Sequence, residues 1–337
     1  MQHTRTALAA LVVASAVALA GCSSASDAGD GASDSAIRVG VVSASASNPA
    51  VQVMNAAVEA QAQADGVTAL VETSESVDEQ IQKAETLLAQ GIDYLGIQPW
   101  DGAAVVPLVT EAAAQGVKVV ILIDGVPDVV ENGTALTYIS GDEPTAAEKL
   151  GELVSADATG PTTAAIVTGT PGNLSAINRT DGFKAGLEGS DVTVVAESTA
   201  NWARDEALTV TADILTANPG LGVLFANNDE MGLGAVNAIN EAGLSGQVDV
   251  IGWNGTCEGL SALLTGAFVA EAVLPFDEFG SLFVQVAVAD ASGDTPEPRI
   301  APEVPILTTA DAQAILAGTQ DASDALVTAI QAANAGC

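Results

Sequence analysis

Histidine is nearly missing from this chain: there is one, His3, within the first few residues. Beyond it no imidazole is available, which excludes a Ser-His-Asp triad, a histidine proton shuttle and nearly every zinc site. Basic residues are scarce as well. Nine Lys and Arg face 43 Asp and Glu, a formal charge of −34. That balance repels phosphate backbones and anionic headgroups, so no nucleic-acid partner is expected. The acidity reads as a solubilising surface. No CxxC, Walker loop or EF-hand pattern occurs, so no metal, cofactor or enzymatic activity is expected. Asp229-Glu230 could suggest a glycosidase pair, but neighbours at a helix start point different ways and do not flank one bond.

What is present begins at the N-terminus. Arg5 precedes an apolar run from Ala7 to Ala20, followed by Leu19-Ala20-Gly21-Cys22. A positive stretch, a short apolar core and small residues at the end describe an export signal over residues 1–21, too short for the roughly 20 residues that span a bilayer. Leu-Ala-Gly-Cys is similar to the lipobox of bacterial lipoproteins, which implies acylation of Cys22 and an exported protein anchored to the outer face of the cell membrane by lipid alone. Residues 22–36 are small and polar, a flexible tether. With Cys22 acylated, Cys257 and Cys337 remain; in an exported protein they suggest a disulfide, the alternative being two free thiols.

From Ile37 short β-rich runs alternate with Ala-rich amphipathic stretches. Strands are expected near 37–43, 67–72, 93–98, 117–123, 135–139, 162–168, 191–197, 221–226, 248–252, 268–274 and 303–307. Helices are expected near 49–65, 77–90, 102–115, 144–157, 174–188, 203–217, 229–242, 256–265, 276–290 and 309–335. Val117 to Ile123 is almost wholly apolar, as in a strand covered on both faces. Val77, Ile81, Ala84 and Leu88 fall on one helical face. Gly91, Gly116, Gly160 and Gly243 sit where left-handed caps end helices. This alternation implies parallel sheets of βαβ units, and eleven strands are too many for one doubly wound sheet. Two Rossmann-like α/β lobes are expected. An eight-stranded barrel is the alternative, disfavoured by the strand count and by irregular spacing near 124–145 and 290–305.

Ligands in open α/β sheets bind beyond the carboxyl ends of the strands. The residues there include Ser43 to Asn48, Gln98 to Asp101, Asp124, Gly169 to Asn173, Asn201-Trp202, Asn227 to Glu230 and Trp253-Asn254. All three tryptophans of the chain are among them. Flat rings beside amides and carboxylates suit a neutral polyhydroxylated ligand: the rings cover C–H faces and the polar groups bond hydroxyls. Asp101 and Asp229 each precede a helix and are expected to cap it. Phe225 is expected in the core.

Several segments resemble one family. Asn227-Asn-Asp-Glu-Met-Gly-Leu-Gly-Ala235 is similar to the "NDEMALGA" stretch of ribose-binding-type periplasmic proteins, and Val250-Ile-Gly-Trp-Asn-Gly-Thr256 to their "VGFDGT". Gly91 to Asp101 resembles "GVDAIIINPVDS", and Asn178-Arg-Thr-Asp-Gly-Phe183 resembles "RxxGF". The resemblance runs from about Ile37 to Leu307. It implies a periplasmic binding protein of type I, the receptor of a sugar ABC importer, with two lobes joined by three crossings and a ligand clamped between them. The implied lobes are 37–141 with 275–303, and 142–274 with 304–337. Carried over residue by residue, it assigns ligand contacts to Asn48, Gln98, Asp124, Arg179, Trp202, Asn228 and Asn254, and Trp100 joins them as a ring beyond a strand end. Departures are visible. The family's "NPFF" aromatics are here Asn48-Pro-Ala-Val51, Gly125 replaces an arginine, Leu274 replaces a glutamine, Gln98 an asparagine and Asn254 an aspartate. The implied partners are a small neutral sugar or polyol and ABC permease subunits, with the receptor monomeric. The alternative is a sensory receptor for a sugar-like signal, such as a furanosyl autoinducer, coupled to a membrane kinase.

Overall fold

The computed structural model describes residues 37–126 and 128–337; the expected signal, Cys22 and the tether lie outside the described residues. The first sheet is built from β1 (Arg38–Ala44), β2 (Thr68–Ser74), β3 (Tyr94–Ile97), β4 (Lys118–Leu122) and β5 (Thr137–Ile139), with α1 (Pro49–Asp65), α2 (Val77–Ala89) and α3 (Gly102–Ala114) as crossovers. The chain then passes through α4 (Glu143–Asp157) into a second sheet. There β6 (Thr162–Thr168), α5 (Leu174–Gly186), β7 (Val192–Thr199), α6 (Arg204–Ala217), β8 (Val223–Ala226), α7 (Asp229–Glu241), β9 (Asp249–Asn254), α8 (Cys257–Thr265) and β10 (Ala270–Val273) follow. It returns to the first sheet with α9 (Phe276–Ala291) and β11 (Arg299–Ile300). It ends on the second with β12 (Ile306–Thr308), α10 (Thr309–Leu316) and α11 (Asp324–Ala335).

The sheets have the same plan, β11-β5-β4-β3-β1-β2 and β12-β10-β9-β8-β6-β7. All ladders are parallel except β12, which runs antiparallel to β10. This is the doubled α/β architecture expected from the alternation, and the barrel is set aside.

Local chemistry explains the boundaries. Asn48 accepts from Ala50 N, Pro49 opens α1 with its fixed φ, and Gly66 closes it at φ 70°. Gly91, Gly116 and Gly243 follow helices at positive φ as expected, but Gly160 does not; α4 has already ended at Asp157, with the extended Ala158 as its cap. The buried face of α2 runs through Gln80, Ala84, Leu87 and Leu88, with Val77 and Ile81 at its margin. The single helix expected over 309–335 is two. Gly318, at φ 69°, turns the chain after α10, and Ser323 caps α11 by accepting from Leu326 N. The two-residue strand β11 is too short to leave a periodic signal.

Cysteines 257 and 337 form a disulfide with Cα atoms 5.7 Å apart, tying the start of α8 to the end of the chain. In the second lobe Phe183 and Phe225 stack with centroids 4.4 Å apart, and Trp253 meets Phe225 edge-on at 6.2 Å. All three rings are fully buried.

Candidate functional site

One cavity lies between the sheets at the carboxyl ends of their strands. It is lined by Asn48, Gln98, Trp100 and Asp124 from the first lobe and by Arg179, Trp202, Asn228 and Asn254 from the second. The structure thus brings all eight expected residues together. Its empty volume is about 440 Å³, open solvent at the mouth included.

Asp124 follows β4 and is aimed by a strained turn. Ile123 adopts φ 59°, a left-handed conformation that is a genuine outlier for a β-branched side chain. Asp124 N donates back to Leu122 O at 2.6 Å, and Tyr138 Oη donates to Ile123 O at 2.6 Å. Such a backbone costs of order 1–3 kcal/mol and persists only where its surroundings hold it. The result is a buried carboxylate facing the cavity, with Gln98 Nε2 donating to Asp124 Oδ2 at 3.1 Å. Burial pushes its pKa up, partly opposed by the Ser175 hydroxyl, the Arg179 charge and Gln98.

Gln98 and Trp100 flank Pro99 on a loop clamped by Gln80 of α2. Gln80 Nε2 donates to Gln98 O at 2.7 Å, while Trp100 N donates to Gln80 Oε1 at 3.2 Å. Gln80 is a buried amide inside a helix because it serves this loop. Trp100 Nε1 donates to Ser74 Oγ at 3.1 Å, which fixes the ring. Gln98 Oε1 has no donor among the described residues, so it remains available to a hydroxyl.

Arg179, on α5, is 3 % exposed. Its Nε donates to Glu143 Oε1 at 2.9 Å, its Nη2 bonds the same oxygen, and its Nη1 donates to Asn227 O at 2.7 Å. The guanidinium lies 4.9 Å from the Trp253 ring and 5.5 Å from the Trp202 ring. Three of its five N–H groups are thereby used. Glu143, at the start of α4, was not singled out from sequence. It is fully buried, and burial raises its pKa against the pull of Arg179. The only hint was an acidic residue just after a strand; its partner is 36 residues further on.

Trp202, at φ 67°, sits over Gly169, where a Cβ would stand 2.1 Å from the ring. Only glycine permits that approach. Trp253, expected as a possible ligand platform, does not line the cavity; it is core, with Arg179 against its ring. Phe276 and Val51 both line the cavity, so α9 contributes an aromatic ring to a site where the "NPFF" aromatics are missing. Asn173 also lines it and caps α5, its Oδ1 accepting from Ala176 N at 3.1 Å.

Of the two aspartates expected as caps, one caps its helix and the other does not. Asp101 caps α3, accepting from Ala103 N and Ala104 N. Asp229 does not cap α7; Asn228 does, accepting from Met231 N at 2.8 Å and donating Nδ2 to Trp202 O at 3.2 Å. The Asp229 carboxylate is buried and turned to the loop after β9. Its neighbour Asn254 has φ 125° and an Oδ1 without a donor among the described residues. The site therefore offers rings, amides, one carboxylate and a guanidinium already paired with Glu143.

Residues 39–295 match the family model described as periplasmic binding protein domain. The D-ribose/D-allose-binding protein of Pseudomonas aeruginosa is 30 % identical over 65 % of this chain and 69 % of its own. A Mycobacterium smegmatis protein solved with β-D-fucofuranose is 25 % identical, with TM-score 0.80 over 88 % of this chain and 98 % of that one. An ABC transporter solute binding protein of the same organism, solved with glycerol, is 27 % identical, with TM-score 0.78 over 85 % and 98 %.

Proposed function

Since the chain belongs to the periplasmic binding protein family and has its type I fold, we propose that it is the receptor of an ABC importer for a small neutral sugar or polyol. The ligand is captured in the cavity between the lobes 37–141 with 275–303 and 142–274 with 304–337, and is then handed to a permease. Members of this family bind substrates for transporters and are not enzymes. Export follows from the family, and Cys22 supplies the lipid anchor.

The observation that carries this reading is the meeting of Asp124 and Arg179 at one cavity from opposite lobes. Asp124 accepts and Arg179 donates, so one hydroxylated molecule can satisfy both. Hydrogen bonds to charged groups contribute about 1.5–3 kcal/mol each. A ligand touching both lobes favours the closed population by that differential affinity. Because Glu143 balances Arg179, the cavity offers no spare positive charge to an anionic ligand. Trp100, Trp202 and Phe276 cover apolar ring faces.

Calorimetry on the purified protein with D-ribose, D-allose, L-arabinose, xylitol and myo-inositol, and with D-galacturonate as the anionic control, tests the assignment. At least one neutral compound should bind at micromolar Kd or tighter, with the uronate far weaker. Tighter binding of the uronate, or binding undiminished in both Asp124→Ala and Arg179→Ala, moves the site elsewhere.

A further inference from the structure

Asn254 reaches the cavity with φ 125°, and its Oδ1 has no hydrogen-bond partner among the described residues. Its neighbours hold it there. Trp253 N donates to Asp229 Oδ1 at 3.1 Å, and Thr256 N and Thr256 Oγ1 each donate to Asp229 Oδ2 at 2.7 Å. Gly255 N donates to Glu271 Oε1 at 2.8 Å. Two carboxyls, one from α7 and one from β10, thus grip the backbone on both sides of Asn254. Leu274 N closes the loop by donating to Asn254 O at 3.1 Å.

Both acids are completely buried, and they share one small space. A Cβ on Gly259 would lie 2.4 Å from Asp229 Oδ2 and 2.8 Å from Glu271 Oε1. Two carboxylates so placed resist ionising together, so one proton stays between them until the pH is raised. Asp229 has three donors and the N-terminus of α8, which Thr256 caps, so the negative charge settles there. Glu271 has one donor, and its Oε2 has no partner among the described residues. The two carboxyls lie within hydrogen-bond reach of each other, so a proton on Glu271 can be donated to Asp229. Burial raises Asp229 to about 6 and Glu271 well above the ordinary carboxylate range.

The other charges on the surrounding elements are engaged elsewhere or exposed. Glu230 of α7 and Glu258 of α8 pair with Arg204. Asp249 stands at the far end of β9, Asp311 is bound in the capping box of α10, Glu143 of α4 holds Arg179, and Glu148 and Lys149 face solvent.

We propose that Asp229 and Glu271 are positioning residues for the ligand cleft: sharing one proton, they bind the N–H groups of residues 253, 255 and 256 and fix Asn254 toward the ligand. The inference rests on the cleft reading above. Above the shared proton's range both carboxyls become charged, the grip loosens, and affinity falls with stability. The sign follows from the raised pKa of Glu271: the folded protein holds the proton that the unfolded chain releases near 4.5, so stability declines as pH climbs beyond that value.

The test uses Glu271→Gln and Asp229→Asn in the whole protein. A glutamine amide can donate to Asp229 and its carbonyl can accept from Gly255 N, but it has no proton to lose. Ligand-free melting temperatures from pH 4.5 to 9 should fall more steeply in wild type than in Glu271→Gln. With whichever of the five neutral compounds binds, Glu271→Gln should lie within about twofold of wild type at pH 7 and bind more tightly than wild type at pH 9. Asp229→Asn should weaken binding at least tenfold. Parallel melting profiles overturn the shared proton. Wild-type affinity in a folded Asp229→Asn overturns the positioning role; if that variant does not fold, equal affinities of wild type and Glu271→Gln at pH 9 overturn it instead. Failure of every sugar and polyol to bind wild type sinks the cleft reading alone, because the ligand-free profiles still judge the pair.

Discussion

Arg179 and Glu143 form an ion pair sealed within the second lobe, their side chains 4 % and 1 % exposed. Removing one member of such a pair strands the other and costs about 3–5 kcal/mol. Arg179→Ala should therefore lower the melting temperature as well as weaken sugar binding tenfold or more. Glu143→Ala should do the same, although Glu143 is absent from the cavity lining. Chemical denaturation and calorimetry on both variants measure the two effects; an unchanged denaturation midpoint in either one contradicts the sealed pair.

Tyr138 restrains the turn that aims Asp124. Losing its bond to Ile123 O in Tyr138→Phe should cost about 1 kcal/mol of stability. Affinity should drop several-fold, because Ile123 is then free to relax from its left-handed conformation. Binding identical to wild type would show that the turn holds without the phenol.

Ligand addition should alter tryptophan fluorescence through the rings at the cavity. Trp202→Phe should remove most of the response, and Trp100→Phe part of it. Trp253→Phe should leave the response largely in place, since that ring lies behind the arginine. A signal that vanishes only in Trp253→Phe would reverse the assignment.

The bridge from Cys257 to Cys337 closes a loop with a sequence separation of 80. In the chain-entropy account that contributes roughly 4 kcal/mol, often less in practice. Reduction, or Cys337→Ala, should lower the melting temperature by several degrees while leaving sugar affinity within twofold. Unreduced protein in which both thiols can be alkylated would refute the bridge.

Cys22→Ser should abolish fatty-acid labelling and release the protein into the medium. Membrane retention of that variant would require a different anchor.

The sequence exposed those parts of the fold that depend on local rules. Strand–helix alternation implied two parallel sheets, and residues just beyond strand ends, such as Asp124 and Asn228, came together because that is where the topology converges. What stayed hidden depends on partners distant in the chain. Glu143 acquires its role from Arg179, and Gln80 from a loop almost twenty residues away. Asp229 was misassigned because a capping rule considers only the helix that follows, whereas its hydrogen-bond donors come from the loop after β9. The break between α10 and α11 was marked by Gly318 and Ser323, but the Ala-rich composition on both sides masked it.

The return of α9 and β11 to the first sheet constrains how the molecule can be made. α9 lies so close to α1 that a Cβ on Gly280 would stand 2.2 Å from Met54 O. β11 supplies an edge of the sheet begun by residues near the start of the described chain. A ribosome or export pore delivers the chain from its N-terminus, so the part of α1 around Met54 and Ala57 lacks its cover from α9 until residues beyond 275 emerge. By then five strands of the other sheet have appeared. The first half to be synthesised is thus among the last to be sealed, and chaperones have their longest opportunity on the α1 face.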